Sequence, residues 1–414
     1  MTLGCLFMPA PALGQELLPT KVSVSPYLYL QSWGIYSHGQ EQYLPTEGYK
    51  AMPSEVAFLM RRARAGLKIN AWDRVSANVM LAFDQIGSSS SLATRGGSAN
   101  TSQAVSLFDV QIQVQLIKDR PWLYATSGYF RPQMGRESMT SAWAVPSFEK
   151  TIAQNYLRRH LVNANGGRAA GVNLSGTWQA SGKWGITYHS GLFSPAPYPS
   201  TGSVTIPTSP LAVGRVLLHL GDPEQKKHSL GHQIQFFKKR NGISMAVSGA
   251  MQGASPAFSR STAVAVDLLA NHGPWTLDGE WSWMNRQSQP DSAAFSFSHP
   301  SQSGHIRGSY LLSMDDQWLE ISLTAAHARA PFDEEHAAQV SSFAARESTL
   351  DAGLNYYFHE NKLMLMLHYV WQGGEQGSLP DGTEANEYFT QKGAGAIQRG
   401  NYLGIGLRAM LEGS

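Results

Sequence analysis

The sequence predicts an all-β protein: a transmembrane, antiparallel up-and-down barrel of sixteen strands. Three observations support this fold class. Apolar and polar residues alternate along many short segments, and successive side chains of a strand point to opposite faces. Charged residues make up only 15% of the 414 residues, against roughly 25% in average soluble domains, yet no stretch has the ~18 uninterrupted apolar residues of a spanning helix. Short connections alternate with long ones, as in outer-membrane barrels.

The amino-terminal segment, "MTLGCLFMPAPALGQE", has features of a secretory signal. It is apolar, with Ala12 and Gly14 at the small positions that precede a cleavage site. We therefore predict that residues 1–14 are a signal peptide and that residues 15–414 form a single barrel domain. A lipidated Cys5 and an unstructured terminus are the alternatives. Loss of this segment removes the only cysteine, and with it any disulfide or thiolate site.

The alternation is clearest at residues 104–117. Apolar side chains of one parity lie opposite a polar row of Asp109, Gln111, Gln113 and Gln115. Such a polar row suits a water-filled lumen better than the hydrophobic core of a soluble protein. An even number of strands returns both chain ends to the periplasm. We predict strands at 21–36, 56–70, 75–86, 104–117, 122–130, 169–179, 184–193, 212–221, 229–239, 262–272, 275–286, 305–314, 317–329, 348–359, 362–373 and 400–411.

One further segment, residues 243–251, also alternates and follows a tight turn. We place it inside an extracellular loop. If it spans the membrane together with a partner strand, the barrel has eighteen strands.

The segment after Pro274 indicates the environments of the two faces of a strand. Trp275, Trp281 and Trp283 share one parity and are expected to face lipid, while Asp278 and Glu280 share the other and are expected to face a water-filled lumen. A soluble sandwich also accommodates alternating strands. A soluble sandwich gives no reason, however, for short connections to lie at one end and long loops at the other. The barrel is therefore favoured, with long extracellular loops and short periplasmic turns.

The longest connection, residues 131–168, is strongly basic, with six basic residues against Glu137 and Glu149. If this loop folds toward the pore, its positive charges would concentrate anions at the narrowest point. The alternative is a solvated surface loop that binds lipopolysaccharide phosphates or nothing. The basic residues of the loop are Arg131, Arg136, Lys150, Arg158, Arg159 and Arg168.

The predicted lumen wall carries both signs of charge, so we expect the loop, and not the wall, to set a weak to moderate anion preference. Arg62, Arg64 and Lys68 complete the candidate anion-attracting set. The expected lumen carboxylates are Asp84, Asp109, Asp267, Asp278, Glu280, Glu320 and Asp351.

Five segments carry a resemblance to a known family: "FLMRRARAGLKI", "GYFRPQMGRES", "DLLANHGPWTLDGEWSW", "GSYLLS" and "GLNYYF". In this order, over residues 56–408, they resemble the phosphate-selective porin O and P family of outer-membrane channels. The resemblance implies a sixteen-stranded, trimeric, passive channel whose third loop enters the pore and whose arginines and lysines attract phosphate. Thr324 stands where the family commonly has an arginine, which weakens the transfer of phosphate selectivity.

These observations favour a passive porin of the bacterial outer membrane for small hydrophilic or anionic solutes. The alternative is a structural or accessory barrel whose lumen is plugged or bound by a partner. The net charge of +2 and the lack of any motif argue against nucleic acid. We expect no catalytic site, no metal and no cofactor; the expected partners are solutes, membrane lipids, lipopolysaccharide and two further copies of the chain.

Overall fold

The computed structural model describes residues 22–87, 92–94, 105–180, 183–198, 207–225, 228–289, 296–377, 384–392 and 395–413. Within these ranges, sixteen antiparallel strands form one closed barrel, which confirms the predicted fold class and strand number. The predicted signal peptide, residues 1–14, and Cys5 lie outside the described residues.

The strands and helices of the described residues are, in chain order, β1 (Val22–His38), β2 (Glu41–Leu44), β3 (Gly48–Ala51), β4 (Glu55–Ala71), β5 (Val75–Ala82), β6 (Ser106–Gln115), β7 (Tyr124–Phe130), α1 (Arg136–Met139), α2 (Ile152–Val162), β8 (Ala169–Ala180), β9 (Trp184–Ser194), β10 (Leu211–Gly221), β11 (Gly242–Gln252), β12 (Arg260–His272), β13 (Trp275–Gln287), β14 (Ser298–Met314), β15 (Gln317–Arg329), α3 (Glu334–Gln339), β16 (Arg346–His359), β17 (Leu363–Gly374), β18 (Phe389–Lys392), β19 (Gly395–Gln398) and β20 (Asn401–Glu412). Strands β2, β3, β18 and β19 form a separate four-stranded sheet from the first and last long loops. None of the helices in the described part of the chain is long and apolar enough to cross a membrane.

The barrel closes because β1 pairs with both β4 and β20. At the centre of this seam, Leu30 lies opposite Ala63 on one side and Ala409 on the other. Closure leaves no free sheet edge, so the backbone groups of every barrel strand find partners without water.

The outer surface of the barrel is apolar, as predicted. Trp275 is 61% exposed and Trp283 is 48% exposed, whereas Asp278 and Glu280 on the opposite face of β13 are buried inside the barrel. The same alternation of exposed apolar and buried polar side chains recurs along β11, β12 and β14 to β17. This outer surface is suited to lipid and not to water.

One strand prediction was wrong. Residues 229–239 form no strand, and residues 243–251, predicted to lie in an extracellular loop, belong to the barrel strand β11. In β11, exposed Met245 and Val247 alternate with small side chains that face inward. Residues 229–239 also mix apolar and polar side chains, but they lie inside the barrel, where Ile234 is fully buried. The exchange leaves the strand number at sixteen, and the eighteen-strand alternative is wrong.

The two ends of the barrel differ. At the end that holds the strand-joining turns 273–274 and 315–316, most described connections have few residues, whereas the opposite end carries the long loops. The connection 222–241, between β10 and β11, is the exception because it is long and lies at the short-turn end.

Candidate pore constriction

The third long loop, residues 131–168, lies across the interior of the barrel. It leaves β7 and returns to β8, but its helix α2 contacts β13, β14 and β15 on another part of the wall. Apolar residues of α2, among them Ile152 and Leu157, pack against inward-facing alanines of the wall such as Ala263 and Ala328. Small wall residues thus make room for a helix inside the barrel.

Helix α2 ends at Val162, immediately before the asparagine- and glycine-rich segment "NANGGR". Asn163 follows its last turn in the left-handed conformation, with φ of 52°, and its N–H donates to Arg159 O. Asparagine tolerates this conformation and is a frequent residue just beyond a helix end. The glycines that follow in "NANGGR" continue the turn that leads the chain back to β8.

Carboxylates of the wall hold the loop by its backbone. Glu280 Oε2 accepts a hydrogen bond of 3.0 Å from the backbone N–H of Glu137, and Asp351 Oδ2 accepts one of 2.8 Å from the N–H of Phe148. Gly135, with φ of 75°, passes so close to Glu280 that a Cβ atom would lie 2.6 Å from its carboxylate. These wall carboxylates therefore position the loop as well as line the lumen.

Glu137 is held by charged partners on the wall. Its carboxylate lies 2.6 Å from Arg307 Nη2, and Arg307 Nη1 lies 3.0 Å from Asp278. Thr151 of the loop donates its backbone N–H to Glu137 over 3.1 Å. Burial opposes ionisation of Glu137, but the nearby charges of His305 and Arg307 outweigh it and lower the pKa of Glu137 to about 2.

Arg136 is buried between two carboxylates. Its guanidinium makes a bidentate contact with Glu224, at 2.8 and 3.0 Å, and its Nε lies 3.0 Å from Asp267 on β12. Asp267 also pairs with Arg215 of β10. Because both of its charge partners are negative, Arg136 anchors the loop and contributes little free positive charge to the lumen.

A β-bulge brings two arginines of β4 to one carboxylate. The pairing of β1 with β4 shifts after Gln31, and Arg61 has no partner across the seam. Arg61 Nη2 therefore reaches Glu149 of the loop at 2.6 Å, and Arg62 pairs with the other oxygen of the same carboxylate. A bulge allows two consecutive side chains to point to the same side of a sheet.

Two more arginines sandwich an aromatic ring. The Cζ atoms of Arg64 and Arg168 lie 3.8 and 3.5 Å from the centroid of the Phe108 ring. Each arginine also has its own carboxylate: Arg64 Nε lies 3.1 Å from Asp84, and Arg168 Nε lies 3.1 Å from Asp109. These two pairs are close to neutral.

Three basic residues of the loop form what we call the cation cluster: Arg131, Lys150 and Arg158. All three donate to the backbone carbonyls that end α1. Arg131 Nη1 lies 3.0 Å from Ser138 O, Arg158 Nη2 2.8 Å from the same oxygen, and Lys150 Nζ 2.6 Å from Thr140 O. Free carbonyls at a helix end favour nearby cations. Among the described residues, no ion pair with a carboxylate forms to any of the three.

The charges of the cation cluster repel one another. Burial lowers the pKa of Arg158 to about 9, and Arg168 adds to this effect. Burial, followed by the charges of Arg158 and Arg131, likewise lowers the pKa of Lys150 well below its ordinary range. A buried group of like charges that lower each other's pKa gains stability from an added anion.

A cavity of about 430 Å³ adjoins the cation cluster. Arg131 and Arg64 line it together with the aromatic residues Phe108 and Trp143, and amides of β5 and β6 supply a polar wall. Among the described residues, the buried Nε of Arg131 has no hydrogen-bond partner. Arg131 thus brings a basic side chain to the open space inside the barrel.

The solved structures to which the chain is similar include outer-membrane channels. The chain is similar to the outer-membrane channel DcaP of Acinetobacter baumannii, with a TM-score of 0.54 and 11% identity over 94% of this chain and 97% of that one. It is similar to OprB of Pseudomonas putida, with a TM-score of 0.56 and 9% identity over 94% of each chain. For an anion-selective porin from Comamonas acidovorans the values are 0.51 and 12%, over 94% of this chain and 100% of that one. No family model and no curated protein matches the sequence.

The fold is that of the outer-membrane porins. Together with the apolar outer surface of the closed barrel, this fold places the chain in the bacterial outer membrane.

The remaining predicted site residues do not belong to the cation cluster. Lys68 is exposed near the short-turn end and pairs with Glu412 at 2.8 Å. Arg159 follows Arg158 in sequence, but its side chain is 43% exposed and lies 3.4 Å from Glu387 of the last long loop. Glu320 is buried and accepts a hydrogen bond of 2.6 Å from Gln235.

Several residues that build this site were not among the predicted ones. Arg215 sits alone in an apolar strand, and its sequence gives no sign that it faces Asp267. Arg286 donates to the carbonyls of His160 and Val340 and so holds the end of α2. Arg61 breaks the apolar parity of its strand, which was the one available signal of a bulge. No group of three or more His, Cys, Asp or Glu residues suited to a metal ion occurs in the described ranges.

Proposed function

We propose that this protein is a passive outer-membrane channel for small hydrophilic solutes and that it prefers anions. The cation cluster carries this proposal. Lys150 and Arg158 are buried and Arg131 is half-buried inside the barrel, on a loop that crosses it, with backbone carbonyls as their partners. Positive charge that is partly removed from water and not neutralised concentrates anions and raises their rate of entry.

Most other charges near the loop are paired with a charge of the opposite sign, and where two arginines share one carboxylate the excess is positive. Arg64 has Asp84, Arg168 has Asp109, and the pair Arg61 and Arg62 shares Glu149. Of the wall carboxylates, Asp267 and Asp278 pair with arginines. Glu280 and Asp351 accept backbone N–H groups of the loop, and Glu320 accepts from Gln235. The cation cluster lies on the loop that crosses the barrel, so we expect an anion in the lumen to meet less resistance than a cation.

The class of anion follows from the donors. Guanidinium and ammonium groups next to a free Arg131 Nε suit oxyanions such as phosphate, which accept several hydrogen bonds at once. The resemblance of the sequence to phosphate-selective porins supports this choice. Thr324, which accepts a hydrogen bond of 3.1 Å from Arg307 Nε, leaves one arginine fewer than that family commonly has. We therefore propose a moderate preference for phosphate over chloride.

One observation favours the alternative, a structural barrel that is plugged. The third loop and the described residues of the connection 222–241 both occupy the lumen, and much of the interior is buried. Single-channel recording of the purified protein in planar bilayers separates the two functions. A channel shows discrete conductance steps, which fall when phosphate competes with chloride and remain when a neutral sugar is added. A plugged barrel shows no steps.

We further propose a homotrimer, which the family resemblance supports. Chemical cross-linking of the detergent-solubilised protein should yield a band at three times the monomer mass. A monomer alone would contradict this part of the proposal.

A further inference from the structure

Residues 222–241, which we call the inserted segment, are long for their position. They join β10 to β11 at the short-turn end, where β12 and β13 are joined by two residues and β14 and β15 also by two. The structure describes residues 222–225 and 228–241 of the segment.

The strands that flank the inserted segment do not need it to connect. Gly221 and Gly242 are already paired across β10 and β11. Beyond them, Asp222 N–H donates to Asn241 O over 2.9 Å, and Asn241 N–H donates to the Asp222 carboxylate over 2.7 Å. Asp222 and Asn241 are therefore positioned as the two central residues of a tight hairpin. Residues 223–240 are therefore not needed to connect β10 to β11.

This extra chain reaches the wall on one side of the barrel. The ring of His228 stacks on Tyr124 of β7, with 4.6 Å between centroids, and its Nε2 lies 2.9 Å from Ser175 Oγ of β8. The segment therefore extends from its own strands toward the strands that carry the third loop.

The segment also reaches the opposite wall. Phe237 contacts Tyr357 of β16 edge-on, at 5.0 Å between ring centroids, and Lys238 Nζ donates to Ser313 Oγ of β14 over 2.7 Å. Because β7 and β16 lie far apart in the barrel order, a chain that touches both must cross the interior.

The inserted segment is joined directly to the third loop. Glu224 pairs with Arg136 of that loop at 2.8 Å and also accepts from His232 Nδ1 at 2.8 Å. His232 and Thr140 form a parallel backbone bridge, and Ile234 packs against Val145 in a small buried cluster. The two elements enter the barrel from opposite ends and meet inside it.

We propose that the inserted segment is a second constriction, which narrows the periplasmic side of the lumen and limits the size of the solutes that pass. The inference rests on the proposed channel function and adds an element to it: the third loop supplies the charge, and the inserted segment restricts the cross-section. The Glu224–Arg136 contact fixes the two relative to each other.

The decisive experiment is the deletion of residues 223–240. The product keeps Asp222 and Asn241 as a two-residue turn, the same length as the neighbouring turns, so the barrel strands are undisturbed. Because conduction depends on pore diameter, we expect a single-channel conductance about twofold or more above that of the unaltered protein. Vesicles that contain the deletion variant should also swell with a trisaccharide that the unaltered protein excludes. A heat-modifiable band on gels verifies that the barrel has folded.

A point variant tests the inference without removing chain. Glu224→Gln replaces the charged contact with Arg136 and should raise conductance and open-channel noise. Its matched control is Glu375→Gln, because Glu375 pairs with Arg346 at the exposed, long-loop end and should leave conductance unchanged.

The outcomes separate the two proposals. If the unaltered protein conducts and the deletion variant has the same conductance, the second constriction is overturned and the channel function stands. If the deletion variant fails to fold, an unchanged conductance in the Glu224→Gln variant overturns the second constriction instead. If neither protein conducts, both proposals are wrong. A folded deletion variant whose conductance exceeds that of a conducting unaltered protein supports the constriction.

Discussion

Arg136 Nη2 lies 2.8 Å from Glu224 Oε1, and both side chains are buried inside the barrel. The contact joins a loop from the long-loop end to a segment from the short-turn end. Removal of either partner takes away the bidentate contact of the other, which would then keep only Asp267 (for Arg136) or His232 (for Glu224), and such a loss is costly in a buried site. The interior of this barrel is thus organised around contacts between its two inserted elements, as well as contacts with the wall.

Replacement of Arg136 tests that organisation. Arg136→Met leaves Glu224 buried and short of a cation, and we expect a loss of about 3–5 kcal/mol in the free energy of unfolding, in the range for breaking a buried ion pair. Arg346→Met is the matched control, because Arg346 is half-exposed and its pair with Glu375 is worth roughly 0–1 kcal/mol. Denaturant unfolding in lipid vesicles measures both. Equal losses would mean that the buried contact does not hold the loop.

Two adjacent arginines of α2 give a matched test of selectivity. Arg158 is 7% exposed and belongs to the cation cluster, whereas Arg159 is far more exposed and pairs with Glu387. Arg158→Gln should shift the reversal potential in a salt gradient toward cations, because it removes one uncompensated charge. Arg159→Gln should shift it much less. If the two variants shift it equally, the cation cluster does not determine the ion preference.

Low pH should weaken the ion pairs that join the third loop to β4. Burial opposes ionisation of Glu149, but Arg61 and Arg62 outweigh it and lower its pKa from the ordinary 4.5 to about 2. A depressed carboxyl pKa stabilises the folded state above the ordinary pKa, and this stability is lost as pH falls from about 4.5 toward 2. The denaturant midpoint should therefore drop over this window. Glu149→Gln should make the midpoint less dependent on pH, and an unchanged dependence would argue against the contact.

The strand β11 is tested by charge on its outer face. Val247 is at the middle of the strand and exposed, so Val247→Arg should destabilise the barrel by about 2–4 kcal/mol, as arginine does at the bilayer midplane. Gln233 of the inserted segment is also exposed but does not lie on a barrel strand, and Gln233→Arg should change stability little. A greater effect at Gln233 would restore residues 229–239 as the membrane strand.

The difference between these two segments shows how far alternation predicts the fold. Strand parity identified the lipid face of β13 and its buried carboxylates correctly, because lipid and water demand opposite side chains along a closed sheet. It failed at residues 229–239, because chain that packs inside a barrel also buries apolar residues such as Ile234 and Phe237 between polar ones. Periodicity alone does not distinguish a lipid-facing side chain from one packed within the lumen.

The sequence predicted which types of residue form the candidate site better than it predicted their contact partners. The basic residues of the third loop were recognised, but Arg136 and Glu224 are 88 positions apart, and their contact depends on the inserted segment. The contact of Arg61 with Glu149 depends on a bulge, which shifts the register by one residue. Such contacts follow from the three-dimensional path of the chain. Composition and spacing do not specify them.

The reversal potential of the unaltered protein tests the proposed ion preference most directly. The purified protein is inserted in a planar bilayer with a tenfold gradient of potassium chloride, and the voltage of zero current is recorded. We predict stable conductance and a reversal potential displaced toward the chloride equilibrium potential, because the cation cluster lies on the loop that crosses the barrel and, among the described residues, forms no ion pair with a carboxylate. Displacement toward the potassium equilibrium potential, or no conductance at all, would contradict an anion-preferring channel.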